Sequence, residues 1–155
     1  MLTSLLIKKT STNDPDFITL IRQLDHELWH ELNENQATYD PFNKVPDLPT
    51  AVVLYLNKLP VACGCFKKID KDTAEVKRMY VDKTQRGKGL SKMILKEIEG
   101  WAIENGFSKT ILETSIHFKI ARSLYENAGY IIIDNYGPYK RLPDSVCMQK
   151  TLEKE

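Results

Sequence analysis

Cysteine is scarce in this chain, at three residues in 155, an odd number that intrachain disulfides cannot use up. Cys63 and Cys65 stand two apart in a run that reads as a strand, so their side chains share a face. Neighbours at that spacing are poorly placed for a disulfide. No histidine or further cysteine lies nearby at metal-ligand spacing, so no metal is expected, and the thiols read as buried and free in a reducing cytoplasm. Net charge is nearly absent as well. Lys+Arg of 22 against Asp+Glu of 21 leaves +1, which removes any bulk electrostatic case for nucleic acid or an anionic membrane. No apolar run is long enough to span a bilayer. The first nine residues lack the basic region and small-residue cleavage site of a signal peptide. His26, His30 and His117 have no triad partner or metal spacing around them, which favours surface or structural roles. Repeats, low-complexity tracts and linkers are missing too. What remains, 42% apolar and 28% charged, suits one domain over residues 1–155 with a single core and a cytoplasmic location.

Periodicity divides the chain into two rhythms. A first strand is expected over Thr3 to Lys9. Asn13-Asp14-Pro15-Asp16 then marks a helix start with a side-chain cap and early acids, and Phe17, Ile21, Leu24, Leu28 and Leu32 trace one helical face. Residues 34–49 are polar and irregular, with three prolines. Strands follow at Ala51 to Leu56, Pro60 to Lys67 and Thr73 to Val81, with Asn57-Lys58 as a hairpin turn that lacks the usual glycine. The second half predicts a helix through Leu90, Ile94, Ile98, Trp101 and Ala102, ending near Asn105-Gly106. A buried strand from Lys109 to Thr114, a helix from His117 to Asn127, and strands at Tyr130 to Ile133 and Ser145 to Leu152 complete it. Antiparallel strands first and a β-α-β crossover afterwards make an α/β chain of the α+β type, with a mixed, mostly antiparallel sheet.

The most specific segment runs from Met79 to Ser91. It passes from an apolar strand end through a basic, glycine-spaced turn into an amphipathic helix. Successive backbone N–H groups at such a turn cradle an anion, and the helix dipole adds partial positive charge. Arg86, Lys88 and Lys92 bring mobile positive charge. The simplest ligand is a pyrophosphate. Walker spacing fails, because no glycine lies five residues before a Gly-Lys-Ser/Thr. The dinucleotide fingerprint fails because Lys92 stands where its third glycine belongs.

Arg86-x-x-Gly89-x-Ser91 resembles motif A of the GCN5-related N-acetyltransferases, with serine at a position usually held by glycine or alanine. Leu124-Tyr125-Glu126-Asn127-Ala128-Gly129-Tyr130 is similar to that family's helix-end signature, and the order of elements matches its fold along nearly the whole chain. Residues 135–139 with 145–150 further resemble small bacterial members. The resemblance implies an acyl-CoA N-acyltransferase fold with a splayed strand pair, acetyl-CoA as co-substrate and an amine as acceptor. It implies that Arg86, Gly87, Lys88, Gly89, Leu90 and Ser91 hold the pyrophosphate, while backbone groups of Met79 and Val81 meet the pantetheine arm and the oxyanion. Dimerisation is common in the family, so a homodimer stays open.

Acetyl transfer to an amine needs a base for the amine, a stabilised carbonyl oxygen and a proton for the departing thiolate. Glu75 is the first candidate base and Glu113 the rival, each weighed against an ion-pair role, with a water chain as a further route. Tyr125 is the candidate acid, weighed against packing on an amphipathic helix. Phe118 stands where many members carry an asparagine that contacts the cofactor, so that contact is expected to be lost. Tyr39, Tyr136 and Tyr139 lie on proline-stiffened segments expected to wall the acceptor side and bind a small-molecule amine such as an amino acid. A non-catalytic acyl-CoA-binding module and a protein N-acetyltransferase are the alternatives.

Overall fold

The computed structural model describes residues 3–32 and 47–153. Its elements in chain order are β1 (Leu5–Thr10), α1 (Pro15–Leu32), β2 (Ala51–Leu56), β3 (Leu59–Lys68), β4 (Thr73–Val81), α2 (Leu90–Glu104), β5 (Lys109–Ser115), α3 (Lys119–Asn127), β6 (Ile131–Ile133) and β7 (Ser145–Thr151). The strands follow the order β1-β2-β3-β4-β5-β7-β6. Expected and observed elements agree to within a residue or two. β1 begins two residues later than predicted, and α3 starts at Lys119 instead of His117 because Ser115 to Phe118 is taken up by a turn. Residues 33–46, which carry the predicted acceptor segment with Tyr39, lie outside the described residues.

The chain divides into two compact units, Met1–Phe66 with Lys77–Ile98 and Lys67–Val76 with Glu99–Glu155. In the first, β1 pairs antiparallel with β2, and β2 with β3. Asp14 caps α1: its Oδ1 accepts from the Asp16 amide at 2.8 Å, and its carbonyl accepts the first helical bond from Ile18 at 2.9 Å. The helix lays Phe17 and Leu20 onto Ala51, Val53, Tyr55, Cys63, Cys65 and Tyr80, with Ile21 and Leu24 at the margin. The β2–β3 turn is the two-residue Asn57-Lys58, with φ of +50° and +71°. Those dihedrals suit a tight hairpin, and the Asn57 side chain also accepts from the Ser4 amide at 2.9 Å. All three cysteines are buried and unpaired with one another.

Gly64 of β3 is a packing glycine. A Cβ built there would lie 2.7 Å from Met79 Sδ and 2.9 Å from side-chain carbons of both Ile94 and Ile98. Gly64→Ala is expected to cost about 1–3 kcal/mol through overpacking, read as a lower denaturant midpoint with an unchanged slope.

In the second unit β5 pairs antiparallel with β7 along its whole length, and β7 with β6. The parallel β4–β5 ladder covers three pairs and ends at Glu75↔Ile111. Gly106, at φ +90°, stops α2, and the Phe107 amide returns to the Ala102 carbonyl at 3.0 Å. No helix among the described residues is long and apolar enough to cross a membrane.

Candidate active site

The predicted cofactor turn lies in the first unit and is built by short-range bonds. Asp82 accepts from the Thr84 amide at 2.9 Å and its hydroxyl at 2.7 Å, which closes a single 3-10 turn over Lys83–Gln85. These bonds hold the Asp82 carboxyl below its ordinary pKa. Gly87 and Gly89 then take φ of +81° and +78°, dihedrals costly for any residue with a side chain. A Cβ at either glycine would meet nothing within 4 Å. Helix α2 begins at Leu90, and its first intrahelical bond runs from the Met93 amide to the Gly89 carbonyl at 3.2 Å. The amides of Leu90, Ser91 and Lys92 precede that bond and have no acceptor within the helix. Backbone donors, helix dipole and uncrowded glycines suit a pyrophosphate.

The two basic side chains of the turn are less free than the sequence suggests. Arg86 donates from Nε to the Val81 carbonyl at 3.0 Å and grips Glu27 of α1 through both terminal nitrogens at 2.8 Å. Its guanidinium also lies 5.7 Å from the centre of the Tyr80 ring. The Arg86 side chain thus fastens the turn to α1. Lys88 Nζ donates to Gln85 Oε1 at 2.6 Å.

Upstream, β4 bends at Arg78. This residue has φ +59° in mid-strand, a conformation costing about 1–3 kcal/mol outside glycine. Its side chain, 5% exposed, is ion-paired to Asp25 of α1, and its carbonyl accepts from the Cys63 thiol at 3.7 Å. Met79 and Val81 follow this bend directly. Sequence reasoning missed Arg78 and Asp25. The one available signal was a charged residue amid Val76, Met79, Tyr80 and Val81.

Both candidate bases lie in the second unit. Glu75 is 5% exposed, and its carboxylate accepts from the Tyr136 hydroxyl at 2.5 Å. Glu113 accepts from Ser145 Oγ at 2.6 Å. Burial, then the negative charges of Glu75 and Glu113, push the Tyr139 phenol well above its ordinary pKa. The Cys147 thiol is pushed up to about 11, by burial first and then by the same two carboxylates. The Tyr125 phenol rises to about 12 through burial and the charge of Glu113. Glu75, Glu113, Tyr125, Tyr136 and Tyr139 therefore share one patch, with Glu75, Tyr125 and Tyr139 buried and Glu113 and Tyr136 half-buried. Tyr136 and Tyr139 meet edge to face at 5.6 Å.

Asn135 organises the loop that brings the tyrosines there. Its Nδ2 lies within hydrogen-bonding distance of the carbonyls of Tyr139 (3.2 Å), Leu142 (3.3 Å) and Ser145 (3.1 Å). Phe118 precedes α3 without a side-chain cap bond. His117 Nε2 lies 3.2 Å from Asp144 on the surface. Among the described residues no group of three or more His, Cys, Asp or Glu could hold a metal ion.

Residues 16–130 match the family model described as Acetyltransferase (GNAT) family. The "Uncharacterized N-acetyltransferase YsnE" of Bacillus subtilis is 34% identical over 92 residues, 58% of this chain but only 61% of that protein's length. Among solved structures, the "putative acyl-CoA N-acyltransferase" of Klebsiella pneumoniae superposes with a TM-score of 0.79 at 29% identity, over 96% of this chain and 98% of its own. A GNAT family acetyltransferase of Elizabethkingia anophelis, solved with acetyl-CoA bound, has a TM-score of 0.69 at 16% identity over 96% and 98% of the two chains. At that identity the likeness concerns the fold.

Proposed function

Because the chain belongs to the GNAT acetyltransferase family, we propose that it transfers the acetyl group of acetyl-CoA directly to a primary amine, with residues 1–155 acting as one transferase domain. The observation that carries this reading is the turn at Gly87 and Gly89, with positive φ, open space at both glycines and a helix start behind it. Gly87 to Ser91 would hold the pyrophosphate through backbone amides, and Arg86 would keep the turn in register through Glu27. The bend at Arg78 would set the backbone groups of Met79 and Val81 for the pantetheine arm and the carbonyl oxygen.

In the transfer the amine nitrogen forms a bond to the acetyl carbon, and the carbon–sulfur bond breaks. Glu75 takes the proton that the amine must lose, with Glu113 as the alternative carboxylate. Tyr125 gives a proton to the departing thiolate. Its phenol, pushed up to about 12, keeps that proton at neutral pH. No serine or cysteine nucleophile is needed, and the Cys147 thiol, buried and pushed up to about 11, is poorly suited to be one.

The acceptor is proposed to be a small molecule, an amino acid or related amine. A short loop stiffened by Pro138 and tied together by Asn135 favours a closed pocket over a long peptide groove. Thiol release from acetyl-CoA, measured with free amino acids, polyamines, aminoglycosides and lysine peptides, tests both levels. Turnover with small amines supports the reading. Turnover with peptides alone overturns the small-molecule acceptor, and cofactor binding without release to any amine overturns the enzyme.

A further inference from the structure

Tyr136 is expected from the sequence to touch the acceptor, yet its hydroxyl is spent on Glu75, 61 residues away in the chain. Two features make this more than an incidental contact. The carboxylate is buried, so its hydrogen-bond partners determine its orientation. The loop that delivers the hydroxyl is anchored by one amide group directed at three carbonyls, an arrangement that leaves Tyr136 little freedom. Tyr139 supports the ring edge to face. We infer that Tyr136 is a positioning residue for the proton-accepting step, holding the Glu75 carboxylate aimed through its hydroxyl, with Asn135 locking the loop that carries it.

This rests on Glu75 being the base. Among the described residues, Tyr139 of the same loop and Cys147 of β7 face the pair, and Glu113 of β5 acts on both of them. Burial and carboxylate charge raise both phenols and the thiol, so these three stay protonated through the acid range.

A hydrogen bond to a carboxylate favours its charged form, so deleting the donor makes the carboxylate hold a proton more readily. Tyr136→Phe should therefore move the acid limb of kcat/KM upward by about one pH unit, with kcat at neutral pH falling about tenfold and KM for acetyl-CoA unchanged. Asn135→Ala, which keeps the hydroxyl but frees the loop, should move the limb in the same direction by less. Glu75→Gln should abolish it. An unshifted limb in a folded Tyr136→Phe protein, checked by far-UV spectrum and Tm, overturns the positioning role while the Glu75 result stands. If Tyr136→Phe does not fold, the Asn135→Ala profile decides alone, and no shift there overturns the inference. A full limb in Glu75→Gln overturns the assignment of the base and this inference with it.

Discussion

Gly89→Val is expected to abolish measurable acetyl-CoA binding while the protein stays folded. Gly89 holds φ +78°, and a β-branched residue is a steric outlier there, with strain of about 1–3 kcal/mol. Nothing lies within 4 Å of a Cβ at this point, so lost binding would not reflect an internal clash. Two outcomes are open to the turn. It can keep its shape and project the new methyls into the space before the amides of Leu90 and Ser91, or relax and swing those amides away. Either removes charge-assisted N–H bonds to phosphate, each worth roughly 1.5–3 kcal/mol. Losing two of them weakens binding by about 10²- to 10⁴-fold. Calorimetric titration with acetyl-CoA reads the effect, and the far-UV spectrum reports the fold. Unchanged affinity with an intact spectrum would remove the cofactor from this turn.

This turn was legible because its requirements are local. Gly87 and Gly89 supply dihedrals that other residues avoid, and Leu90 onward has helical periodicity. The α1 stripe and the β-strands were legible for the same reason. The Asn57-Lys58 hairpin could be read from strand spacing, but Lys58 at φ +71° carries no sequence signal of its own. Side-chain roles fared differently, because they depend on partners far along the chain. Arg86 read as a mobile cation, whereas its partner Glu27 is 59 residues away on α1. Tyr136 read as a wall of the acceptor pocket, and nothing local announces its bond to Glu75. That bond depends on the β5–β7 register and on the Asn135 loop. The bend at Arg78 was invisible for a further reason. Arginine gives no hint of a left-handed φ, which the surrounding structure imposes.

Tyr125→Phe is expected to lower kcat by about 10²- to 10⁴-fold with little change in KM for acetyl-CoA. The substitution removes one oxygen and keeps the ring, so the edge-to-face contact with Tyr130 at 5.9 Å survives. A loss confined to kcat would therefore report on the hydroxyl and not on packing. The hydroxyl suits a donor because burial and the charge of Glu113 push its pKa from 10.0 to about 12. It stays protonated through the neutral range and can meet a thiolate as it forms. The same shift gives a separate signature. A folded-state pKa above the unfolded value contributes stability that is whole below pH 10 and is lost as pH rises through 12. Tyr125→Phe deletes that contribution, so its stability should fall less steeply than the parent's across this window. Steady-state kinetics near neutral pH and denaturant unfolding at several alkaline pH values measure the two effects on the same protein. Full turnover in Tyr125→Phe would assign the thiolate's proton to water, and a flattened alkaline stability profile alongside it would leave Tyr125 a purely structural residue.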